Sequence, residues 1–111
     1  MKKLPPAYKQ FQKDFRRVWE AYDRLGGAVH GGGPLNPKLR ELIKLGIAIG
    51  GRLEGGVKAH TRLAVERGAS PEEIRQVALL AITTVGFPTG MASLTWIEDV
   101  VSNRRGRRKK R

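Results

Sequence analysis

Three side chains could move protons: His60, Glu41 and Glu54. An imidazole titrates near neutral pH, and a carboxylate beside it can orient it or take its proton. His60 has Val57, Leu63 and Ala64 at i−3, i+3 and i+4, so on a helix it faces the apolar side. Two roles follow for it, a satisfied structural histidine or a general acid/base. Glu41 lies one turn before Leu45 and two before Ala48. A carboxylate that close to a buried region needs a partner. Lys38, Arg40 and Lys44 are near in sequence and could supply one; His60 is the functional alternative. Glu54 lies six residues before His60, so on an unbroken helix the two point different ways. A break at Gly55-Gly56 could bring them together. Arg40, Arg52 and Lys58 could bind a substrate carboxylate. His30, in a glycine-rich stretch, reads as an exposed loop residue.

Much chemistry is excluded. There is no cysteine, hence no disulfide, thiolate metal site or thiol nucleophile. No HExxH, Gly-x-Ser-x-Gly or Walker sequence occurs. The glycines at 31–33 follow no strand and lack the Lys-Ser/Thr of a phosphate loop. Two histidines thirty residues apart do not hold a metal by themselves. Neither a metal nor a cofactor is expected.

These groups must be held by helices. Tyr8, Phe11, Phe15, Val18, Tyr22 and Leu25 fall at spacings of three and four, which predicts one amphipathic helix over about 5–25. Gly26-Gly27 should end it, with a loop over 26–36. Asn36-Pro37 starts a helix that runs to about Gly50 and carries Glu41. From Leu45 to Gly51 it has no polar side chain, so both faces should be buried. Gly46 and Gly50 should let another helix come close. A third helix, bearing His60, spans about Glu54 to Arg67 and stops at Gly68. Ser70-Pro71-Glu72-Glu73 is a capping box that opens a fourth, apolar throughout Val77 to Ile82. Gly86-Phe87-Pro88 breaks it. The last helix should run from Pro88 to about Ser102, with Met91, Leu94, Ile97 and Val101 at core spacing. The expected fold is all-α, a compact bundle of about five to six helices. No stretch alternates like a strand.

A chain of 111 residues, 40% hydrophobic and 29% charged, is one domain. It is too short to cover two helices that are apolar all round, so a homo-oligomer is expected. No apolar run reaches about 18 residues, so no membrane span is expected. Met1 to Pro6 has no apolar signal core, which makes the cytoplasm the expected compartment. Arginine outnumbers lysine 13 to 9, and only two asparagines occur, a composition that leans towards a heat-adapted protein. The net charge is +12, yet seven of the 22 basic residues lie in the last eight positions. Arg104, Arg105, Arg107, Arg108, Lys109, Lys110 and Arg111 thus form a tail, expected to be disordered, after a domain over 1–103. Three readings of it stay open: non-specific contact with nucleic acid, an anionic membrane surface, or a solvating end. No aromatic residue is interleaved, so base stacking is not on offer.

The order of parts resembles the carboxymuconolactone decarboxylase family, which includes the alkylhydroperoxidase D-like proteins. The resemblance rests on Pro37-Lys38-Leu39-Arg40-Glu41-Leu42-Ile43, His60, Glu66-Arg67-Gly68-Ala69-Ser70-Pro71-Glu72-Glu73-Ile74 and Gly86-Phe87-Pro88. It covers about 35–101 and leaves out the first helix and the tail. It implies an all-α fold assembled as a trimer or hexamer, with a site between the helices of Glu41 and His60. In the redox-active branch a Cys-x-x-Cys pair precedes the histidine and an upstream glutamate completes a proton relay. Here Leu53 and Gly56 stand at the cysteine positions and Glu41 at the glutamate. A thiol-peroxidase route needs both sulfurs, so the resemblance points to a cysteine-free subgroup that is no peroxidase of that kind. The decarboxylase branch works without cysteine on a carboxylated lactone, which implies acid/base chemistry by His60 with Glu41 or Glu54. A non-catalytic oligomeric scaffold or binding protein is the alternative.

Overall fold

A computed structural model describes the backbone of residues 5–110 and the side chains of residues 5–102. Among the described residues there are six α-helices and no strand. The chain divides into two units, residues 1–34 and 35–111.

The first unit contains α1 (Pro6–Asp14) and α2 (Arg16–His30). The single expected helix is broken at Phe15, whose φ of −132° and ψ of 55° leave the helical region. Phe11 packs against Phe15 with the rings tilted and their centres 5.3 Å apart, and meets Trp19 edge-on at 6.4 Å. The expected stop at Gly26-Gly27 is also corrected. The helix passes through both glycines, and His30 is its last residue rather than a loop residue. Each glycine costs about 1 kcal/mol of helix propensity. The apolar stripe of Val18, Tyr22 and Leu25 simply continues to Val29, one turn on. No residue of α1 or α2 is buried.

The second unit contains α3 (Pro37–Gly50), α4 (Glu54–Glu66), α5 (Pro71–Val85) and α6 (Phe87–Lys110). Its starts follow the local signals. The Asn36 side chain accepts a hydrogen bond from the Leu39 N–H at 2.9 Å. At α5 the box closes both ways: the Glu73 N–H donates to Ser70 Oγ at 3.0 Å, and the Ser70 N–H donates to Glu73 Oε1 at 2.9 Å. Two turns are made by glycines with positive φ, Gly68 at 96° and Gly86 at 114°, a conformation that glycine adopts without steric cost.

The core is a cluster of Leu45, Ile49, Val57, Ala64, Ile74, Ala78, Ile97 and Val101 with smaller neighbours. The closest helix approaches are not at Gly46 and Gly50. At Gly90 a Cβ would collide with the Ile82 side chain and crowd the Ala78 carbonyl, so α5 and α6 need glycine there. At Gly56 a Cβ would lie 3.3 Å from that of Ala48, which holds α4 close to α3. Burial of the apolar helices is one-sided. Leu45, Ala48 and Ile49 are buried, but Ile47 is 68% exposed, as are more than half of Leu79 and Leu80. Met91, placed in the core by spacing, is also exposed.

The expected end at Ser102 is corrected too. The backbone stays helical to Lys110. Arginine and lysine are good helix formers, and cations near a helix C-terminus suit its dipole. The tail's side chains lie outside the described residues. No helix among the described residues is long and apolar enough to cross a membrane.

Two predictions follow from this packing. Ser93 is fully buried and its Oγ has no hydrogen-bond partner among the described residues. An unpaired buried hydroxyl costs about 1–3 kcal/mol, so Ser93→Ala should leave the urea midpoint unchanged or raise it. A clear drop would show that Ser93 has a partner. The second concerns Glu73, whose carboxyl is held below the usual range, first by the Ser70 N–H and then by Lys38. Its contribution is therefore present above the ordinary carboxylate pKa and is lost as the pH falls through the lowered value. Glu73→Gln should lose less stability on acidification than the parent, as read by urea unfolding at neutral and acid pH.

Candidate active site

Glu41 and His60 are brought together by the α3–α4 hairpin. The turn between the helices is short. The Gly51 N–H donates to Ile47 O at 3.0 Å, Arg52 to Ile49 O at 2.9 Å and Leu53 to Ala48 O at 3.0 Å. Arg52 takes the left-handed conformation, with φ of 54°, which a non-glycine residue adopts at a cost of about 1–2 kcal/mol. Its guanidinium donates to Thr89 Oγ1 at 2.7 Å at the start of α6, which fixes the turn. The two helices then pack along each other on either side of it. Gly56 lies opposite Ala48, and His60, one turn on along α4, meets Glu41, two turns back along α3.

The contact is a hydrogen bond of 2.9 Å between His60 Nδ1 and Glu41 Oε1. Glu41 is 3% exposed, while the His60 side chain keeps 22% of its surface in water. A buried carboxylate needs such a partner. With Glu41 ionised, Nδ1–H donates and the lone pair lies at Nε2. No hydrogen bond to Nε2 is made within the described residues. The arrangement is an oriented imidazole with a free nitrogen, able to take a proton and give it back.

Among its sequence neighbours, Lys38 does not pair with Glu41. Lys38 reaches Glu73 on α5 at 3.1 Å instead. Glu54 does not join the pair either. The helix is unbroken at Gly55-Gly56, so Glu54 points elsewhere and meets Lys58 at 3.1 Å. Lys58 also approaches Asp99 at 3.6 Å, and the Glu54 hydrogen bond is the main cause that raises its pKa. Lys58 is thus occupied by two carboxylates. Arg40 Nη1 donates to the Leu35 carbonyl at 3.4 Å among other contacts, and Arg52 is tied to Thr89. The three cations proposed for a substrate carboxylate are each engaged within the protein.

Other side chains that tie the helices together carry no signal of their own in the sequence. Arg75 grips Glu98 through two hydrogen bonds of 2.6 and 3.1 Å, tying α5 to α6. Glu98 and Asp99 are adjacent acids on α6, and that pairing of acids with basic residues on other helices is the only signal they offered. Among the described residues no group of three or more His, Asp or Glu is placed to hold a metal ion.

Comparison with known proteins gives the framework. No curated protein matches the chain. Among solved structures it is similar to a carboxymuconolactone decarboxylase family protein from Legionella pneumophila, crystallised in its apo form. The TM-score is 0.78 at 23% sequence identity, over 86% of each chain. At that identity the likeness is one of fold. The family's own sequence pattern matches residues 16–99. That range begins earlier than the resemblance read from the motifs and takes in α2. A match over most of the chain, with the fold it requires, places the protein in the carboxymuconolactone decarboxylase family.

Proposed function

We propose that this protein is a cofactor-free acid/base enzyme acting on a small carboxylated substrate, with His60 as the proton-transfer group and Glu41 as its positioning residue. The 2.9 Å bond between a partly exposed imidazole and a buried carboxylate carries the reading. Nε2 takes a proton from the substrate, and Glu41 stabilises the imidazolium that forms. The same proton returns to the substrate carbon or to a leaving oxygen, so the cycle needs no redox partner. Carboxylated lactones and 2-oxo acids are the substrate classes to screen. Glu54 has a weaker claim because its carboxylate is held by Lys58. Assembly as a homo-oligomer, a trimer or hexamer, belongs to the same reading, supported by the exposed Ile47, Leu79 and Leu80.

A positioned general acid/base contributes about 10²–10⁴ in rate. His60→Ala should therefore lower turnover of the substrate found in such a screen by about 10²–10⁴. Glu41→Gln should lower it by about 10²–10⁴, because the amide can donate to Nδ1 and put the proton on the wrong nitrogen. Full activity of either variant would remove the pair from the mechanism.

Thiol-peroxidase chemistry is not part of this reading, since the chain has no cysteine. The backbone nevertheless suits the missing pair. A Cβ at Gly56 would lie 3.4 Å from that of Leu53, just under the shortest disulfide separation of about 3.5 Å. Leu53→Cys with Gly56→Cys should close an intramolecular disulfide on mild oxidation, read as loss of two titratable thiols. Hydroperoxide turnover by the parent protein with a thiol reductant would contradict the reading.

A second reading, an oligomeric scaffold that touches nucleic acid through its basic end, draws support from the helix continuing to Lys110. Seven phosphate contacts would give a log–log salt slope of about −6. Truncation after Asn103 should then abolish binding to duplex DNA; unchanged binding would dismiss this role.

A further inference from the structure

The break at Phe15 makes an elbow, and the outside of that elbow is not smooth. On one straight helix Gln12, Lys13, Arg16, Trp19 and Glu20 would lie at spacings of three and four along a single convex stripe. Phe15, with φ of −132° and ψ of 55°, turns the chain out of the helix between Lys13 and Arg16. The same five side chains then line a concave groove of about 400 Å³, a volume within the range of small-molecule sites. We propose that this groove binds a planar aromatic monocarboxylate. It lies wholly in the first unit and shares no residue with the Glu41–His60 pair, so it stands apart from the acid/base reading.

The groove offers a held cation and a free one. Arg16 Nε donates to Glu20 Oε2 at 3.2 Å, one turn along α2. That bond uses one of five guanidinium N–H groups and sets the plane of the rest, which keep the fork that matches a carboxylate. Lys13, at the end of α1, makes no ion pair among the described residues. Two cations and one carboxylate give the lining a net charge of +1. A monoanion neutralises it, whereas a polyanion would meet Glu20 at close quarters.

The groove also offers a flat apolar wall that is already in place. Trp19 is half-buried. Phe11 meets its ring edge-on at 6.4 Å, and Tyr22 packs against it with the rings tilted and 6.1 Å apart. An indole fixed by two neighbours loses little freedom when a ligand stacks on it. Aromatic partners stack offset or edge-on with centres about 4.5–7 Å apart, so a planar ring suits this wall better than an aliphatic chain. Gln12, also half-buried, adds an amide at the rim. One ring on Trp19 with its acid group at Lys13 and Arg16 uses both features at once.

The test uses the full chain with 2-naphthoate as the probe. The chain has two tryptophans, Trp19 and Trp96, so two indole N–H signals are expected in a nitrogen-15 spectrum, and Trp19→Phe identifies which belongs to the groove. The probe should shift the Trp19 signal saturably, with a dissociation constant on the order of 1 mM, and leave that of Trp96 in place. Naphthalenemethanol keeps the ring without the charge, and acetate keeps the charge without the ring. Each should bind at least about tenfold more weakly, since a charge-assisted hydrogen bond is worth that factor or more. Lys13→Gln with Arg16→Gln should weaken 2-naphthoate by a similar factor at unchanged circular dichroism, because glutamine forms helix as well as lysine or arginine. The absence of a saturable shift would overturn the proposal. So would equal binding of naphthalenemethanol by the parent, which would locate the ring in the apolar groove on the other side of Trp19, or unchanged binding in the double variant. Adenosine monophosphate is the phosphate arm, and tighter binding of it than of 2-naphthoate would overturn the assignment to a carboxylate.

Discussion

A carboxylate almost wholly withdrawn from water, Glu41, sets the terms for the second unit. Such a group costs several kcal/mol unless a charged or strongly polar partner meets it. That partner is His60, nineteen residues on and on the next helix. The α3–α4 register therefore cannot slip. A shift of one residue turns a helical side chain by about 100°, which would strand both groups. The rest of the hairpin serves that register. The left-handed Arg52 shortens the turn, its bond to Thr89 offsets the strain, and Gly56 lets α4 lie against Ala48.

Around this hairpin the remaining helices supply cover more than chemistry. The core is built from leucine, isoleucine, valine and alanine, with no buried aromatic ring among its members. Packing at that scale depends on close approach, which is why Gly90 meets α5 where any side chain would collide. The ion pairs Lys38–Glu73 and Arg75–Glu98 join elements at the surface of the bundle. Exposed pairs of this kind add at most about 1 kcal/mol each. They set the order of the helices more than their stability.

The parts of this fold legible in the sequence are those fixed by local chemistry. Asn36-Pro37, the Ser70–Glu73 box, Gly68 and Gly86 each satisfy or interrupt a backbone within a few residues, and all stand where the sequence puts them. The misreadings share a different cause. The break at Phe15 has no proline or glycine to announce it. The helix survives Gly26-Gly27 and continues past Ser102 because propensities of about 1 kcal/mol are too weak to force a boundary. At the site, both members of the pair could be recognised by type and by apolar surroundings. Their union could not, because it depends on the register of two helices. Glu54 is close to His60 in sequence, yet 54 and 60 lie on different faces of one continuous helix. Burial on both faces was expected of α3 and α5, and only one face of each has it. A single chain of this length lacks the residues to cover the other.

That shortage bears on why the Glu41–His60 pair exists at all. Replacing a buried polar pair by apolar side chains of similar volume is often neutral or stabilising. A small bundle with a modest core would gain from such a replacement, since one or two kcal/mol is a large share of its stability. A carboxylate kept at 3% exposure beside a histidine that still reaches water is therefore poorly accounted for as a stabilising device. Its asymmetry is what proton transfer requires. A shielded carboxylate lets its charge act strongly on the imidazole, and the more open ring keeps a nitrogen within reach of solvent. The cost in stability falls on a framework that already leaves apolar helix faces in water.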